Sequence, residues 1–137
     1  MRHDLMALAA VLTLTAGAAR AAADDAIRLE LNALENADGR CRVSFVIENK
    51  SATSLDSLRL ELALFNPAGI VQRRVATEFG PLRGNKTIVK TFTIDGACEE
   101  IGAVLVNDVT ACAPVDPTAC LDRLELSSRL PTVRLYK

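Results

Sequence analysis

Four cysteines, at positions 41, 98, 112 and 120, are the residues of this chain with the widest chemical repertoire. As thiolates they could bind zinc or run thiol–disulfide exchange; joined, they would be structural staples. Structural zinc sites bring their ligands in close pairs, about two to four residues apart and often with histidine. The single histidine is His3, and the nearest two cysteines, Cys112 and Cys120, enclose the seven residues of "APVDPTA". A redox centre of the thioredoxin type needs Cys-x-x-Cys at a helix start, where the helix N-terminus lowers a thiol pKa. Neither pattern is present. Two structural disulfides are the expectation for an even cysteine count in an exported chain, and four cysteines admit three pairings.

Other candidate groups are sparse. The densest acidic cluster is "DGACEE", with Asp95, Glu99 and Glu100. It reads as a solvated turn before it reads as a calcium loop, although clustered oxygen ligands are what calcium takes. Arg73 and Arg74 could grip an anion, but adjacent charges on an edge strand more often block edge-to-edge pairing. Asn49 and Asn85 open the sequons "NKS" and "NKT" and read as turn asparagines. No catalytic residue, metal ligand or cofactor site is expected.

Export is written at the start of the chain. Residues 5–19 carry no charge and are rich in Leu and Ala, and Ala21 and Ala23 stand in an Ala-x-Ala cleavage pattern before Asp24. That layout is a secretory signal over residues 1–23, too short to span a bilayer comfortably. The domain proper is then 24–137, periplasmic or secreted, with no stable membrane insertion after cleavage. Cleavage removes His3, Met1 and Met6, which leaves no His, no Met and, as in the whole chain, no Trp. Histidine-based nucleophilic catalysis and soft-ligand copper binding are excluded with them. The remaining 14 basic and 16 acidic residues give a net charge of −2 with no basic stripe, so nucleic acid is not an expected partner.

The elements that must position these residues alternate with a period of two. In "IRLELNA" the apolar Ile27, Leu29 and Leu31 alternate with polar residues; in "CRVSFVIEN" the series Cys41, Val43, Phe45, Ile47 does the same. "LRLELALF" sets Leu58, Leu60, Leu62 and Leu64 against Arg59 and Glu61. Such alternation marks half-buried strands. Further strands are expected at 70–79, 86–94, 101–109 and within 121–128, separated by the turn signals "NPAG" (66–69) and "GPLRGN" (80–85). About seven short strands at even spacing predict an all-β fold, a single immunoglobulin-like antiparallel β-sandwich.

The stretch from "CRVSFVIENKS" through "LRLELALFNPAGIVQRRVATEFGPLRGNKTIVKTFTI" resembles FxLYD-type immunoglobulin-like modules of bacterial envelope proteins. With "CEEIGAVLVNDVTAC" and "LELSSR", the chain is similar to small uncharacterised exported alphaproteobacterial proteins, often labelled Tat signal-sequence proteins. The twin arginine of that label is missing here. These motifs are structural and imply no activity.

In an immunoglobulin-like sandwich the Cys41 strand pairs antiparallel with the 86–94 strand, so the start of one lies beside the end of the other. That favours Cys41–Cys98, leaving Cys112–Cys120. If the alternating leucines and Val43, Phe45 and Ile47 face inward, then Val46, Ala63 and Phe65 face outward and form an apolar strip. Either the C-terminal "LPTVRLYK" or a second molecule covers such a strip; Pro131 and two basic residues make the tail a poor cover, so a protein partner is expected, another envelope protein or a second copy. Three functional classes remain: a binding or adaptor module without catalysis, a structural or accessory subunit of an envelope complex, and an unrecognised hydrolase or inhibitor.

Overall fold

The computed structural model describes residues 25–137; the stretch read as an export signal, 1–23, lies outside them. The alternating segments form strands. β1 (Ile27–Ala37) and β2 (Arg40–Asn49) make a hairpin closed by Asp38 and Gly39, at φ 52° and 73°. Two positive φ angles are what a two-residue type I′ turn demands, and Asp-Gly tolerates them. β3 (Arg59–Phe65) and β4 (Val71–Glu78) form the next hairpin, followed by β5 (Lys86–Asp95), a 3₁₀ turn at Cys98–Glu100 and β6 (Ala103–Ala111). The chain ends with helix α1 (Pro117–Arg123), β7 (Leu124–Ser128) and β8 (Arg134–Tyr136).

These elements build two packed four-stranded sheets, in the orders β5-β2-β1-β7 and β4-β3-β6-β8. The all-β sandwich is as expected, but it has eight strands rather than seven and is not wholly antiparallel. β7 runs parallel to β1 and β8 parallel to β6. The reason lies in short connections. Asp116 caps α1 by accepting from the amides of Thr118 and Ala119, with Pro117 in the first turn. This one-to-two-turn helix brings the chain to where β1 begins, so Leu124 starts opposite Ile27. Contrary to the expectation of a poor cover, the tail is part of the fold: Val133 and Leu135 are buried, and Leu135, in β8, lies opposite Val104.

The core lies between the sheets. Phe45 and Phe79 meet edge to face, with centroids 5.3 Å apart and planes at 88°; Phe92 stands 5.2 Å from Phe79. Such aromatic pairs contribute roughly 0.5–1.5 kcal/mol beyond the area they bury. At one end, hereafter the β2–β3 end, Asn49 is buried at 1% exposure. Its Nδ2 donates to the carbonyls of Thr53 and Leu82, and its Oδ1 accepts from the Ser51 amide. Asn49 is thus the last residue of β2, not a turn residue as expected, and its side-chain amide braces the loop that follows; Asn85 sits at φ 53° in the neighbouring loop.

Each end of the sandwich carries one disulfide. Cys41 starts β2 and is joined to Cys98 just beyond β5, with their Cα atoms 4.9 Å apart. Cys112, after β6, is joined to Cys120 in α1 at the β2–β3 end. The links span 57 and 8 residues of sequence. On the loop-entropy model the long one stabilises by roughly 4 kcal/mol and the short one by roughly 2.5. Cys41→Ala/Cys98→Ala is accordingly expected to lower the urea midpoint more than Cys112→Ala/Cys120→Ala. Equal or reversed midpoints would show that local packing outweighs loop entropy.

Candidate functional site

Four segments converge at the end opposite Asn49: the end of β1, the β3–β4 turn, the link between β5 and β6, and the crossing from β7 to β8. Between them lies an open groove of about 530 Å³. Its apolar lining comes from Leu34, Pro67, Ile101, Leu130, Pro131 and Val133. The polar margin is built around Asn36. Asn36 Oδ1 accepts from the Cys98 amide at 2.8 Å, and Nδ2 donates to Glu99 Oε1 at 2.8 Å. One side chain therefore ties the disulfide-bonded turn to β1.

Gly102 fixes the opposite wall. Its amide donates to the Phe65 carbonyl at 2.7 Å, and a Cβ there would lie 2.7 Å from the backbone of Asn66 and Pro67. Only glycine lets the β5–β6 link approach the β3–β4 turn so closely. The crossing segment is held by Ser128, whose Oγ donates to the Val133 carbonyl and accepts from the Leu130 amide. Arg129 donates to Glu30 at 3.1 Å. The Glu30 carboxyl is held below its ordinary value, first by the hydrogen bond from Asn32 and then by Arg129, against the opposing effect of desolvation. Because its pKa is lowered on folding, this contribution is present at neutral pH and is lost as the pH falls through the lowered value.

The acidic cluster does not converge. Asp95 accepts from Arg40 at 2.9 Å and faces Arg73 at 3.8 Å, while Glu99 is taken by Asn36. Among the described residues, no group of three or more His, Cys, Asp or Glu side chains could hold a metal ion. Arg73 and Arg74 point to opposite sides of β4. Arg74 reaches Glu61 at 3.6 Å, and Arg73 reaches across to Asp95 on the other sheet. All four cysteines are in disulfides.

The expected apolar strip of Val46, Ala63 and Phe65 is not one surface. Val46 lies on the outer face of the first sheet, between Glu30 and Val89. Ala63 and Phe65 lie on the outer face of the second, and Ala63 is buried between Arg74 and Leu105. Period-two alternation tells inward from outward but not which sheet a strand joins, and β2 and β3 belong to different sheets. Phe65 is instead accompanied by the chain's own tail. The Tyr136 ring lies 6.5 Å from it, under the Arg134 guanidinium at 4.1 Å.

No protein-family model matches the chain, and no curated protein matches it in sequence. Among solved structures, the chain is similar to IrmA from Escherichia coli, with a TM-score of 0.56 at 12% identity over 74% of this chain and 90% of that one. A likeness at that identity shows the all-β fold alone. The resemblance to FxLYD-type modules and to exported alphaproteobacterial proteins is not accompanied by a family match.

Sequence reasoning missed the groove because its lining is drawn from four distant segments with no shared motif. Asn36, two residues before the Asp-Gly turn, was its one local cue. Asn36→Ala is expected to lower stability by about 1 kcal/mol, the usual net worth of a lost hydrogen bond. Urea unfolding measures it; a midpoint identical to the parent's would show that the disulfide alone holds the turn.

Proposed function

We propose that this protein is a non-catalytic protein-binding or adaptor module, exported to the periplasm or beyond, and that the groove seats side chains of its partner. The carrying observation is the groove's makeup. Leu34, Ile101, Leu130 and Pro131 give it an apolar lining, and its one acidic lining residue, Glu99, is already bonded to Asn36. Its frame is fixed by a disulfide and by Gly102. A preformed concave surface of this kind suits recognition, since little ordering is needed on binding. Two disulfides suit an oxidising compartment, in keeping with the export signal read at residues 1–23. No helix of the described residues is long and apolar enough to cross a membrane.

A photo-crosslinking residue placed at Thr132, on the groove rim, tests the proposal in the envelope of the native host; Arg83, at the far end, is the control position. A discrete adduct from Thr132 that is lost on Leu130→Arg is the expected result. Adducts from Arg83 alone, from both positions equally, or from neither would overturn it.

A further inference from the structure

The two sides of the sandwich are unlike. On one, β7 and β8 are joined by a short crossing and Leu124 and Leu135 are buried there. On the other, β5 and β4 end their sheets, and among the described residues neither has a further strand beside it. β5 pairs with β2 over ten consecutive residues without a register shift. No backbone hydrogen bond of residues 86–95 outside the sheet occurs among the described residues. A long, regular edge of this kind is a template for another strand unless something blunts it.

Between the two edges lies a cavity of about 130 Å³. The half-buried Phe92 and Ile94 of β5 and Val75 of β4 line its mouth, and the buried Thr77, Phe45 and Leu62 line its floor. It is close to the volume of roughly 150 Å³ at which an apolar cavity takes a benzene ring. Phe45 and Phe79 are fully buried, whereas Phe92, at the same cluster, is only partly buried.

Cations flank this mouth on the inward face of both edges. Lys90 lies opposite Phe45, and Arg73 opposite Leu64, so both share the face of core residues. Arg73 is engaged by Asp95 at 3.8 Å. Inward-facing charges discourage indiscriminate pairing. Beside an apolar cavity, they also select a strand that brings the opposite charge.

We propose that the β5 edge accepts an extended segment of a partner protein that carries an aromatic or branched aliphatic residue for the cavity and an acidic residue for Lys90. Strand addition supplies backbone hydrogen bonds, and alternate side chains supply the specificity. Phe92 and Lys90 are two positions apart on one face of β5, so the apolar and acidic residues of the segment must also be two apart, in either order. This inference does not rest on the groove at the end of the sandwich, and its test leaves that groove untouched.

The probe is a short fluorescent peptide of alternating Thr and Val, with a central Phe and a Glu two residues away. Binding is read by anisotropy and by amide shifts of β5. The parent protein is expected to bind it, with perturbed amides at Thr87, Val89, Thr91 and Thr93. Replacing the peptide's Phe by Ala, or Glu by Lys, is expected to weaken binding about tenfold or more. Lys90→Glu should reverse the preference between the Glu and Lys peptides, and Val75→Phe, which fills the cavity, should remove the advantage of Phe. The charge reversal is read at an edge-strand position whose side chain is only half-buried, so it decides the question even if Val75→Phe fails to fold. Absence of binding at about 1 mM, indifference to the Phe or to Lys90, or amide shifts elsewhere would overturn the proposal. So would a dimer paired through β5 that the peptide cannot displace.

Discussion

The bond between Cys41 and Cys98 is the constraint on which the rest of the fold depends. A β-sandwich must carry its chain from one sheet to the other, and here residues 96–102 do so between β5 and β6. Left free, so short a link would have only its 3₁₀ turn to define its path. The disulfide pins its middle to the start of β2, Asn36 pins it to β1, and the Gly102 amide pins its end to β3. Three attachments to three strands place the sheets relative to each other. The same attachments build one wall of the groove and set Asp95 where Arg73 can reach it. Fold and surface therefore share a cause.

A second consequence is the contrast between the two flanks. The C-terminal segment spends its apolar residues on closing one flank: Leu124 enters the first sheet and Leu135 the second, and Val133 is buried just before β8. On the other flank β4 and β5 stand as the sheet edges among the described residues. Ion pairs between exposed groups there, such as Arg73 with Asp95, contribute little energy. They restrict geometry more than they stabilise. The first sheet's outer face is mostly polar and threaded with Arg28, Glu48 and Glu125, which keeps it in water. The exposed Val89 beside Val46 is the exception.

Much of this was legible in the sequence for an identifiable reason. Alternation in "CRVSFVIEN" and "LRLELALF" follows directly from the two faces of a pleated strand, and Leu60, Leu62 and Leu64 are buried as that pattern requires. The antiparallel neighbourhood of β2 and β5 is what an immunoglobulin-like topology implies, and the structure has it, with Cys41 close to the end of β5. What was not legible depends on position between strands. β8 is only three residues long, too short for a period to emerge. The parallel run of β7 is decided by α1, a helix of seven residues. Alternation gives Val46, Ala63 and Phe65 their orientation but not their sheet, and β2 and β3 lie in different sheets. The groove is legible only once four chain segments are placed in space.

Native-state hydrogen exchange of the parent and of Cys41→Ser/Cys98→Ser tests the central role of the bond most directly. Global destabilisation lowers protection everywhere, so the informative quantity is the gap between the link and the ladders. The amides of Cys98, Ile101 and Gly102 report the link, and those of Val43 and Ile47 report the β1–β2–β5 ladder. Loss of the bond is predicted to widen that gap by about 100-fold or more, as the link opens independently of the sheets. A uniform fall in protection with the gap unchanged would show that Asn36 and the strands place the link unaided, and would contradict the account.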